Sequence, residues 1–210
     1  MSGDRAGVTL PHPLAAEDRI RADLYALVAR LFASPADAGF LASLAAAPEL
    51  PEDAEAGTLA PAYNALLRAS RAMDAEAAAQ EYTDLFIGVG RSEVNLHASH
   101  WLTGFMMDKP LADLRTDLAE LGIERRGDTS LLEDHLGALA EVMRLLIAGG
   151  DGREPAPLDV QRRFFETRIA PWVFACCDAI SQCSLANYYR RGSEFAKAFL
   201  AIERDSLAMD

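Results

Sequence analysis

Residues 130–150 read SLLEDHLGALAEVMRLLIAGG, and their spacing decides the fold class. Leu132, Leu136, Leu139, Met143 and Leu146 recur at three- and four-residue steps, the period of one face of an α-helix. Ser130 and Glu133 have capping-box spacing, in which the serine accepts from the third helical amide and the glutamate reaches back to the cap. This predicts a helix opening at Ser130 and closing at Gly149-Gly150.

The same period recurs on both sides. Ile20, Leu24, Leu27, Val28 and Leu31 mark a helix over about 15–33, stopped by Ser34-Pro35. A short helix is expected over 37–46, a loop over 47–57, and a helix carrying Leu59, Tyr63, Leu66 and Leu67. Another runs from about Asp74 through Glu81-Tyr82-Thr83-Asp84-Leu85-Phe86 and is closed by Gly88 and Gly90. Residues 91–100 have no clear period. Leu111, Leu114, Leu118 and Leu121 define the next helix, with Gly122-Ile123 as a glycine stop and its hydrophobic contact. Helices over about 158–168, 171–181 and 185–207 complete the chain, the last with Phe195, Phe199 and Ile202 on its apolar side. No alternating strand and no repeat is visible. The expectation is an all-α protein: one domain over 1–210, a bundle of about eight to ten helices in two parts, with a hinge near 123–134.

Composition agrees. Half of the 210 residues are hydrophobic, which argues against disorder. Alanine is abundant while valine and isoleucine are sparse, a balance that favours helix over strand. A net charge of −12 repels phosphate backbones and disfavours nucleic acid as a partner. It suits a basic partner, and it also keeps a chain soluble. The three cysteines, Cys176, Cys177 and Cys183, are odd in number and form no CxxC pair, so a disulfide framework or structural zinc site is not expected and a reducing cytoplasm fits. Residues 1–14 hold no apolar secretory core, and no run approaches the ~20 apolar residues that span a bilayer.

The search for chemistry finds little. No phosphate-binding glycine loop is present; Phe86-Ile87-Gly88-Val89-Gly90 follows a helix and lacks a lysine. His97-Ala98-Ser99-His100 has the spacing of a metal pair, but zinc needs two further ligands and neither HExxH nor a cysteine pair supplies them. His135 and Glu133 could join only through the tertiary fold. Ser99 lacks the GxSxG elbow of a serine nucleophile. The densest titratable cluster is Glu133-Asp134-His135: Glu133 reads as a capping acid, while Asp134 and His135 divide evenly between capping and binding. Trp101, Phe105, Met106 and Met107 read first as core, and otherwise as an adaptable surface for apolar peptide. The residues alone indicate an acidic helical binding protein with no cofactor and no metal. The alternative is a helical metal-dependent hydrolase using His97, His100 and His135.

Four ordered segments resemble the TorD/DmsD/NarJ family of redox-enzyme maturation chaperones. Glu81-Tyr82-Thr83-Asp84-Leu85-Phe86-Ile87-Gly88 is similar to that family's helix ending in an aromatic, then Leu-Phe, a hydrophobic residue and Gly. His97-Ala98-Ser99-His100-Trp101 is similar to its Ser-x-aromatic loop. Glu133-Asp134-His135 matches the Asp-His end of its E-P-x-D-H motif, although Leu131-Leu132 stand where the motif's Glu and Pro would be. Ile169-Ala170-Pro171-Trp172, with Tyr188-Tyr189 further on, resembles its Pro-Trp helix and paired aromatics. The resemblance implies a cytoplasmic, non-enzymatic chaperone, monomer or dimer. It would bind the twin-arginine leader or apo form of a molybdopterin-containing oxidoreductase subunit and hold back export until the cofactor is inserted. It implies Asp134 and His135 as polar contacts, with Trp101, Tyr82, Leu85 and Phe86 lining the apolar part of a peptide site.

Overall fold

The helix boundaries follow from local caps. Asp37 accepts the Phe40 amide at 2.8 Å and starts α2 (Ala38–Ala46), after α1 (Ala16–Ala33) has ended at Ser34. Asp74 does the same for Ala77 at the head of α4 (Ala75–Tyr82), which follows α3 (Leu59–Ala72). Helix α4 passes without a break into one π-helical turn, Thr83–Ile87. Then come α5 (Ala98–Thr103), α6 (Lys109–Glu120), α7 (Leu136–Ala148) and α8 (Leu158–Phe164). A second π turn, Phe165–Ile169, joins α8 to α9 (Ala170–Gln182), and α10 (Tyr188–Met209) closes the bundle. The computed structural model describes residues 14–52, 57–125, 131–150 and 152–209, and among these there is no β-strand, only isolated bridges. The protein is all-α.

Helix α6 ends as its sequence predicts. Gly122 has φ 63°, its amide donates to Ala119 O at 3.0 Å, and the Ile123 amide donates to Leu118 O at 2.8 Å. These two bonds satisfy carbonyls that the helix end leaves open.

Helices α1 and α7 pack most closely. A side chain at Gly137 would place its Cβ 3.0 Å from Ala33 N and 3.1 Å from Ala29 O, so glycine lets the two backbones meet. Helix α10 lies against α3 and α9 and also touches α1. Its Tyr188, Tyr189, Phe195 and Phe199 are buried, Phe199 standing edge-on to Tyr25 at 4.8 Å. Each such ring or leucine contributes roughly 1.5–3 kcal/mol through removal from water. A partly buried ion pair ties the same layer together: the Arg21 guanidinium donates to Glu203 at 2.8 Å and to Gln161 at 3.1 Å, linking α1, α10 and α8.

Three expectations change. Ile20 is 60 % exposed and Ile202 is also exposed, so the apolar faces of α1 and α10 are narrower than the period implies. Helix α7 begins at Leu136, five residues later than the capping box predicts; Ser130 lies outside the described residues, as do residues 126–129 of the 123–134 segment read as a hinge. Glu133 does not cap, because its carboxylate accepts from Arg115 of α6 at 2.9 Å.

Candidate functional site

The site is built from three segments: the end of α4 with its π turn, the stretch 94–107, and residues 133–137. In the first, the motif residues have structural partners. Tyr82 donates its hydroxyl to Phe32 O at 2.8 Å, and its burial pushes its pKa up to about 12. Its ring meets Phe86 at 5.1 Å and Tyr189 at 5.5 Å, both edge-on. Phe86 is half-buried against Tyr189, and Leu85 is wholly buried. Glu81 accepts the backbone N–H groups of Asn187, Tyr188 and Tyr189 at 2.8, 3.0 and 2.9 Å, so this carboxylate caps α10. The π turn delays the chain by one residue before Gly88, whose amide donates to Thr83 O at 2.7 Å. The chain then reverses, and the Val94 amide returns to Leu85 O at 3.0 Å.

The second and third segments pair with one another. The Ala98 amide donates to Asp134 O at 2.9 Å and the Leu136 amide to Leu96 O at 2.8 Å, an antiparallel bridge centred on His97 and His135. Asp134 is 0 % exposed. Its Oδ2 accepts the Ser99 amide at 3.0 Å and the Ser99 hydroxyl at 2.6 Å, while its Oδ1 is buried without a hydrogen-bond partner among the described residues. His135 is 3 % exposed and is the N-cap of α7, its Nδ1 accepting the Gly137 amide at 3.1 Å. The His97 ring stands edge-on to it at 4.9 Å. Trp101, half-buried, donates its indole N–H to Asn95 O at 2.7 Å. Among the described residues no three His, Cys, Asp or Glu side chains are grouped as a metal-binding set.

Two further features belong to this region, and of these only the cavity had no sign in the sequence. Phe105 and Met107 are 71 % and 70 % exposed, and Ile87, Leu102 and Met106 are exposed as well. The residues whose first reading is core are thus largely on the surface. Beside them a cavity of about 510 Å3 is lined by Ile87, Arg91, Glu93, Asn95, His100 and Met106, with Gly90, Ser92 and Gly104 completing its wall. Exposed thioethers and a phenyl ring beside a concavity make a surface that adapts to apolar side chains.

The buried His135 ring gives a pH dependence whose sign is fixed. Burial, and then the neighbouring His97, lower its pKa from 6.5 to about 3. Below pH 6.5 the unfolded chain therefore binds a proton that the folded chain refuses, and stability present at neutral pH is lost as pH falls. From pH 7 to 5 this ring alone removes about 2 kcal/mol, at 1.36 kcal/mol per unit. Urea midpoints at the two pH values measure it. In His135→Asn, which retains a capping acceptor but does not titrate, that part of the pH dependence disappears.

Comparison with known proteins agrees with the motifs. The family described as nitrate reductase delta subunit matches residues 49–178, more than half of the chain and a span that holds all six residues singled out as a peptide site. Among solved structures, the crystal structure of a proposed redox enzyme maturation protein from Archaeoglobus fulgidus superposes with a TM-score of 0.54, covering 97% of this chain and 99% of that one. Identity there is 15%, so this likeness establishes the fold. Comparison with curated proteins gives no match. With its ordered motifs, its helical architecture and the matched span, the chain belongs to the nitrate reductase delta subunit family, among the TorD/DmsD/NarJ-type chaperones of molybdoenzyme maturation.

Proposed function

We propose that this protein is a cytoplasmic, non-enzymatic chaperone that receives the twin-arginine leader of a molybdopterin-containing oxidoreductase subunit and holds that subunit until its cofactor is in place. The observation that carries the reading is the exposed apolar set Ile87, Leu102, Phe105, Met106 and Met107, of which Ile87 and Met106 line a cavity that presents Glu93 together with Arg91. A leader offers an apolar stretch and two guanidinium groups. The apolar set suits the first, and carboxylates suit the second, often bidentately. The net charge of −12 speeds the encounter with a basic segment. In this reading Trp101 and Phe86 line the peptide site, and the buried Tyr82, Leu85, Asp134 and His135 support it from behind.

The matched family is described by nitrate reductase, so a nitrate-reductase-like catalytic subunit is the first client to test. Titration with synthetic leaders of molybdoenzymes encoded near the gene, each beside its Lys-Lys version, is expected to give saturable binding that weakens about tenfold with Lys-Lys, a loss of about 1.4 kcal/mol. Absence of binding to every such leader, or equal affinity for Lys-Lys, overturns the reading.

A further inference from the structure

We propose that Asp134 and His135 are positioning residues that never touch the leader: as one dipeptide they fix the starts of α5 and α7 and so hold the exposed apolar set in its receiving shape. This rests on the leader-binding reading above and assigns those two side chains a role within it.

Helix α5 has six residues, too few to persist without tertiary support. Its first amides face Asp134: Ala98 N–H meets the Asp134 carbonyl, and Ser99 N–H and hydroxyl meet Oδ2. The helix N-cap, His97, makes no side-chain cap bond, so Asp134 from another segment fills that office. Helix α5 in turn carries His100 and Trp101 and leads through Gly104 into Phe105, Met106 and Met107. One residue on, His135 starts α7, the helix packed most closely on α1. The dipeptide therefore joins the apolar set to the rigid centre of the bundle.

Burial argues against direct contact. Asp134 is 0 % exposed, and a guanidinium could reach it only by displacing Ser99 or the backbone pairing. Its unpartnered Oδ1 is enclosed as well. A carboxylate placed to receive arginine would present that oxygen to solvent. If Oδ2 serves as an acceptor for Ser99, negative charge is dispensable and geometry is not. Asparagine can keep an oxygen at Oδ2 and put its NH2 where Oδ1 stands.

The test compares Asp134→Asn, Asp134→Ala and Ser99→Ala in the full chain with two readouts. One is anisotropy of a fluorescein-labelled synthetic peptide carrying Arg-Arg followed by a leucine- and alanine-rich stretch. The other is the NMR resonance of the Trp101 indole N–H, which reports its bond to Asn95 O. Asp134→Asn is expected to bind within about twofold of the parent with an unmoved indole signal, while Asp134→Ala weakens binding about tenfold and shifts that signal. Ser99→Ala, which deletes one hydroxyl, shifts both readouts in the same direction by less, and keeps the comparison decisive if Asp134→Ala does not fold. Binding lost equally in Asp134→Asn and Asp134→Ala with the indole unmoved overturns the proposal, because charge would then be the quantity read by the peptide. If the parent protein binds no peptide, the leader reading falls, but the indole response still decides whether Asp134 positions α5.

Discussion

Gly88→Ala is expected to destabilise the protein by about 3–4 kcal/mol and to lower its melting temperature by about 10 °C. Gly88 has φ 65° and ψ 176°, a backbone region open essentially to glycine alone. Its Cβ would also fall 2.0 Å from the Arg91 carbonyl oxygen and 2.7 Å from that carbonyl carbon. Both contacts are to backbone, so no rotamer relieves them, and the turn itself must move. The turn delivers Arg91, Ser92, Glu93 and Asn95 to the cavity beside Ile87 and Met106, so peptide binding should fall with stability. Gly90→Ala is the internal control. Gly90 also has positive φ, 88°, but open space surrounds its Cβ position, and the cost there should be about 1 kcal/mol. Thermal melts of the two variants separate backbone conformation from collision.

Glu81→Ala should cost about 2–3 kcal/mol, with a melting temperature lower by about 5–10 °C. The carboxylate accepts three amides at the head of a helix of 22 residues, where the dipole also favours negative charge. Alanine leaves those amides without their acceptor. Glu81→Gln keeps an oxygen but loses the charge, and about 1 kcal/mol is expected. Differential scanning calorimetry of both variants would show the graded loss.

The helices were legible because apolar spacing states which side of each segment faces inward. Asp37 and Asp74, followed at once by helix-forming residues, were equally open to reading, and Gly122-Ile123 announced its own C-terminal bonds. What escaped was whatever depends on distant partners. Ser130 and Glu133 have the right spacing for a cap, but Arg115 of α6 takes Glu133, and histidine, an uncommon cap, starts α7 instead. Glu81 reads as an ordinary helical acid, because the amides it serves lie 106 to 108 positions later. Ile20 and Ile202 fit the period yet lie outside the packed stripe, since periodicity locates the middle of a face and not its edges. Phe105, Met106 and Met107 carry no local mark of exposure. Their character as a surface follows from α5 ending at Gly104 before they can turn inward.

The order of the peptide chain has its own consequence for how this protein is made. Glu81 emerges from the ribosome more than a hundred residues before the amides it is to hold, and Tyr82 and Phe86 wait as long for Tyr189. Until α10 is synthesised, the nascent chain shows the greasy sides of α1, α3 and α9 to its surroundings. A product cut short before Tyr188 would therefore be sticky and protease-sensitive, itself in need of the kind of shelter a chaperone gives.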